Sequence, residues 1–272
     1  MSWTTVNDQR NSPGEAQITY GITSAGGTFN LRSTGTVDYE VEWGDGTVER
    51  STSNVLAHTY AAGSYVLKIR TAQQYVPNFN NSTDEDQITS VALVSDLGVG
   101  TGLTNAWYGA NNMTGFDAAS GVTSSVTNFA AAWRDCTNLT PFPQINTSSG
   151  TDFSAAWLNC TSLTSFPQIN TSSGTNFAIA WSGCTSLTTF PANVFDTTGT
   201  LIATAFQNAF TGCALTAQSV ENILVSLDTN GATGITLGIS GGTTAGQASW
   251  TAAATTAYNN LISKGWTITA NP

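Results

Sequence analysis

Three copies of one 24-residue unit stand end to end between residues 128 and 190, and they limit what the chain can fold into. Phe129, Phe153 and Phe177 are 24 residues apart, as are Trp133, Trp157 and Trp181, and Cys136, Cys160 and Cys184. The linkers match too: residues 144–151 return as residues 168–175. A fixed period of this size points to a stacked array in which each unit buries its neighbour. Within one copy, Phe153, Ala156, Trp157 and Cys160 fall at i, i+3, i+4 and i+7. That spacing predicts an apolar stripe on a helix of about two turns. Asp152, Asn128 and Asn176 stand where an N-cap belongs. Pro167 stops the helix, so residues 163–169 read as a short strand and 170–174 as the loop back. Phe206, Phe210, Cys213 and Leu215 make a fourth copy after an insertion near residues 195–202, and Trp107, Ala110, Met113 and Phe116 read as a degraded earlier one.

The stretch Ala-Trp-Ser-Gly-Cys-Thr-Ser-Leu-Thr-Thr-Phe-Pro at residues 180–191 resembles the unit of BspA-type leucine-rich repeats, with Trp where that family usually has Phe. The resemblance implies one helix and one extended segment per repeat, in a solenoid over residues 79–215.

Upstream the texture turns to β. Residues 37–43 alternate strictly, apolar at odd positions, as a half-buried strand does. Strand patterns recur at 18–22, 28–31 and 64–69, separated by Gly-rich turns. Trp43-Gly44-Asp45-Gly46-Thr47, then His58-Thr59-Tyr60, then Gly63-Ser64-Tyr65-Val66 are similar to the three ordered motifs of PKD domains. That implies an Ig-like β-sandwich over residues 16–78, of a type that serves as spacer or contact module. Residues 1–15, with Pro13-Gly14, read as an extended arm suited to docking. Residues 216–272 read as an α/β cap: a helix from Ser219 through Leu227, a strand at 235–239, a helix over 248–264 closed by Gly265, and a last strand at 266–268. The expected fold is therefore a multidomain β and α/β chain: PKD-like sandwich, leucine-rich-repeat solenoid, α/β cap.

Charged residues make up 9% of the 272 and the net charge is −10. Nucleic acid needs a Lys/Arg footprint, which seven scattered basic residues do not provide. No apolar run approaches 18 residues, so no membrane span is expected. The first residues have neither the basic region nor the apolar core of a secretory signal.

Each constellation that could carry chemistry has a plainer reading. The column Cys136, Cys160, Cys184 and Cys213 reads as buried thiols rather than a zinc site, because a ladder spreads ligands that zinc needs converging. His58 with Asp45 could suggest a catalytic triad, but the PKD resemblance gives both a structural place. Asp84, Glu85 and Asp86 could touch calcium and otherwise form a solvated linker. The Trp column, Trp133, Trp157 and Trp181, shares the Phe and Cys stripe, which favours core over a sugar-binding ladder. Neither enzyme activity nor any cofactor or metal is expected. The ending Gly-Trp-Thr-Ile at residues 265–268 is similar to the tails of PKD-plus-repeat proteins of phages and marine bacteria. With no secretory signal, this resemblance implies a phage particle protein decorating a capsid, tail or fibre, located on the virion or extracellular surface. Its partners would be virion proteins or a host surface protein or glycan, and a homo-oligomer is compatible with this. The alternative is a bacterial cell-surface adhesin.

Overall fold

The computed structural model of the chain describes residues 16–34, 38–71, 75–80, 83–95 and 102–272; the expected arm at 1–15 lies outside them. Seven strands form one mixed sheet: β1 (Ala16–Thr34), β2 (Tyr39–Glu42), β3 (Val48–Ser51), β4 (Val55–Thr71), β5 (Val76–Pro77), β6 (Ile88–Leu93) and β7 (Gly115–Ala118). Their order is β3-β2-β4-β1-β6-β7, with β5 paired to β1 off that path. β1 and β4 make a long antiparallel ribbon, in register from Ala16 opposite Thr71 to Arg32 opposite Val55. The ribbon bends at Gly26 and Gly27, whose φ values of 96° and 143° favour glycine. The bend is sharp. Tyr20 and Phe29 each lie 6.0 Å from Phe79, whereas nine residues of straight strand would separate them by about 30 Å. One sheet thus curls over its own core, where Tyr20, Phe29, Leu31, Trp43 and Leu67 are fully buried.

β6 pairs antiparallel with β1, and β7 pairs parallel with β6, placing Phe116 opposite Val91. β7 begins the stack, since Phe116 lies 5.8 Å from Phe142 of the next coil, ring planes 3° apart.

The repeats contain no helix. In residues 128–136, alternate amides leave the coil: Phe129, Ala131, Trp133 and Asp135 donate to the carbonyls of Asp152, Ser154, Ala156 and Leu158 in the following coil. The amides between them turn back, Ala132 to Phe129, Arg134 to Ala131 and Cys136 to Trp133. The next coil repeats the scheme onto Asn176, Ala178, Ala180 and Ser182. This geometry requires left-handed residues at two places per coil. One column holds Gly109, Asp135, Asn159, Gly183 and Gly212, residue types that tolerate positive φ. The other holds Asn105, Ala131, Ala155, Ile179 and Asn208, at φ between 51° and 56°.

The physical reason that the helix loses is bookkeeping of donors. An eight-residue helix leaves its first four N–H and last four C=O groups without partners. Each such group, when buried, costs about 1–3 kcal/mol. The alternating ladder gives every one of these amides an acceptor. The expected N-caps keep part of their role: Asn128, Asp152 and Asn176 side chains accept from the amides of Ala130, Ser154 and Ala178.

Among the described residues, α-helices occur only near the C-terminus: α1 (Ala217–Asn230) and α2 (Ala252–Ser263). Thr216 and Thr251 cap them through the amides of Ser219 and Ala254, so Ser219 lies inside the first helix. Val220, Ile223, Leu224 and Leu227 face inward as their spacing predicts. In α2 the buried stripe is Ala254, Ala257 and Leu261, while Ala253 and Ile262 are exposed. β8 (Thr236–Ile239) and β9 (Thr267–Ala270) pair in parallel, and Phe206 bridges to Leu237 of β8.

The fold class therefore needs correction. Over the described residues the chain is mostly β, with one mixed seven-stranded sheet and two short α-helices, and its repeats close no leucine-rich-repeat solenoid. A two-sheet sandwich is likewise replaced by one continuous sheet that takes in β6 and β7.

The strain is testable at Ile179, a β-branched residue at φ 51°. Ile179→Asn is expected to stabilise the chain by roughly 1 kcal/mol in urea unfolding, whereas Ile179→Val gains nothing.

Candidate functional site

The two columns that looked most chemical in the sequence lie together in the core. Trp107, Trp133, Trp157 and Trp181 have no exposed surface. Their ring centroids follow one another at 5.7, 5.6 and 5.3 Å, and Phe210 continues the column 5.0 Å beyond Trp181. Beside it run Phe129, Phe153, Phe177 and Phe206 at 5.1–5.2 Å, and Phe116, Phe142, Phe166 and Phe190 at 5.5–5.8 Å. Phe142, Phe166 and Phe190 stand edge-on to the Trp rings beside them, as in Phe142 with Trp133, 4.8 Å apart at 75°. A buried indole removes about 200 Å² from water, worth about 5 kcal/mol at 25 cal/mol/Å². That exceeds the about 1–2 kcal/mol of placing an alanine in the left-handed region. The columns therefore tolerate Ala131 and Ala155 there.

The cysteines are all free and buried. Each thiol donates one coil backwards, Cys136 to the Trp107 carbonyl, Cys160 to Trp133, Cys184 to Trp157 and Cys213 to Trp181, at 3.1–3.2 Å. Burial pushes all four thiols up, Cys213 to about 12. Thiolate is the reactive form, so the native column is inert. A second buried column, at the same 24-residue spacing, is made of threonines. Thr123, Thr147 and Thr171 hydroxyls donate one coil forward, to the carbonyls of Asn146, Asn170 and Val194.

The Trp43-Gly44-Asp45-Gly46 motif forms a turn after β2. Asp45 Oδ1 accepts from the Thr47 amide and hydroxyl at 2.9 and 2.6 Å, and Oδ2 bonds His58 Nε2 at 2.8 Å. His58 stacks on the Trp43 ring at 4.5 Å, and the Tyr60 hydroxyl donates to the Trp43 carbonyl. Gly44 has φ 83°, and a Cβ there would meet the Val66 backbone at 2.5 Å. Asp45 and His58 are thus brought together as a brace that ties the turn to β4. Donation from Thr47, then from His58, holds the Asp45 carboxyl down at about 2.

The linker acids also have structural partners. Asp84 is buried, accepts from the Asn30 amide and side chain, and pairs with Arg32 at 3.1 Å. Asp86 accepts from Asn111. Among the described residues no cluster of three His, Cys, Asp or Glu could hold a metal ion, and no helix is long and apolar enough to cross a membrane. No protein-family model, no curated protein and no solved structure matches this chain, so function is argued from its own residues.

The thiol column should be silent to a thiol reagent in the native protein and yield four equivalents after denaturation. Fast native labelling would contradict the sealed column. Asp45 contributes stability that is present above its ordinary value of 3.8 and lost as pH falls towards about 2. Between pH 5 and pH 2 (about these values), wild type should therefore lose more stability than Asp45→Asn, read as urea midpoints.

Proposed function

We propose that the chain is a non-enzymatic structural protein of a phage particle, decorating the capsid or tail or forming part of a fibre, and contacting other virion proteins or the host surface. The observation that supports this most is the fate of the Trp and Cys columns. Both are spent on packing, at zero exposure. What faces outward is a neutral surface repeated coil after coil, such as Thr140, Thr164 and Thr188, or Asn146 and Asn170. Such a surface on a stack with a buried aromatic core suits display and contact rather than turnover. The likeness of residues 43–66 to the PKD motifs adds a spacer or contact module. A bacterial cell-surface adhesin binding host protein or glycan would use the same surface.

Co-sedimentation of the labelled chain with purified phage particles and with intact host cells separates the two. Saturable pelleting with particles is the expected result, together with peptides of the chain in a mass-spectrometric inventory of virions. Binding to cells alone would transfer the chain to the adhesin class.

A further inference from the structure

The period of the stack is broken most strongly between Trp181 and Phe210, which lie 29 residues apart in place of 24, with the extra residues near 195–202. Insertions in repeat stacks often build binding faces. Here the inserted segment and the turn after α1 wall a cleft of about 620 Å³, a size suited to small molecules. Its wall is fixed: Asn230 Nδ2 donates to Thr198 Oγ1 at 2.9 Å, and Asn230 Oδ1 accepts from the Ala232 amide at 3.3 Å. With Asn230 and the Thr198 oxygen spent on each other, the exposed Thr200 and Thr233 hydroxyls are left to meet a ligand. Half-buried Leu201 supplies apolar surface beside them, with buried Ile235 behind it.

No lining residue is charged. The C-terminal end of α1 opens here with its partial negative charge, which disfavours an anion. No carboxylate is present to hold a cation. Hydroxyl donors and acceptors over a small apolar floor match a neutral, polyhydroxylated ring. We propose that this cleft binds a hexose unit of a surface glycan. The lining offers no aromatic platform, so a single site binds weakly, with Kd of millimolar order. Useful avidity then comes from many copies on one particle, a step that rests on the virion reading above.

The test is saturation-transfer NMR on the full chain with glucose, galactose and N-acetylglucosamine, each at about 10 mM. At least one sugar should receive saturation, and Thr233→Trp, which fills the cleft, should reduce the signal at least about fivefold. Thr200→Trp should do the same from the opposite wall, guarding against a folding defect in the first variant. Thr256→Trp, on the exposed face of α2, should leave it unchanged. No transfer to any of the three sugars, or equal transfer in both cleft variants, overturns the proposal. Pelleting with particles but no sugar contact overturns the cleft alone; sugar contact without pelleting overturns the virion reading alone.

Discussion

The hydrogen bonds between coils are the constraint on which the rest depends. Each coil sends alternate amides to the carbonyls of the next, as Phe129, Ala131, Trp133 and Asp135 do to residues 152–158, and uses the remainder for its own turns. No coil is complete alone, because alternate amides of its ladder segment end in its neighbour. Stability is therefore held in pairs of coils, as in other repeat arrays. Identical side chains are brought into line at the coil spacing, and the aromatic and thiol columns follow from that registry.

An array of this kind needs a start and an end. The curled sheet supplies the start, because β7 presents Phe116 as the first ring of a column and pairs in parallel with β6. The end is made by a change of local structure. From Phe206 onward the ladder passes to β8 and β9, whose parallel pairing satisfies strand edges in the ordinary way, and α1 and α2 cover the flank. The outer face of α2 carries Thr256, Asn259 and Ser263, polar residues of the sort that close a stack to solvent.

Much of this was legible in the sequence. The 24-residue period located the buried Trp, Phe and Cys columns, and the Trp43 to Tyr60 motifs located the turn that Asp45 and His58 brace. What was not legible was the backbone. The spacing of Phe153, Ala156, Trp157 and Cys160 suits a helix, yet a ladder of i to i−3 turns buries the same four positions. The signal that separates them is the column Gly109, Asp135, Asn159, Gly183, Gly212, since these residue types are the ones that accept positive φ. Ala131, Ala155 and Ile179 hide the companion column, because nothing in their propensity announces a left-handed residue. The ribbon β1–β4 looks like separate strands in the sequence for a related reason: Gly26-Gly27 resembles a chain reversal and is instead a bend within one ribbon.

The measurement closest to the central claim is amide hydrogen exchange, resolved by residue, across 153–160. The ladder predicts one common, strong protection for Phe153, Ala155, Trp157 and Asn159, bonded to the next coil, and for Ala156, Leu158 and Cys160, bonded within their own. A helix would leave the first-turn amides of Phe153 and Ala155 open to exchange while protecting Trp157 and the residues after it. Fast exchange at Phe153 and Ala155 beside slow exchange at Trp157 to Cys160 would contradict the account.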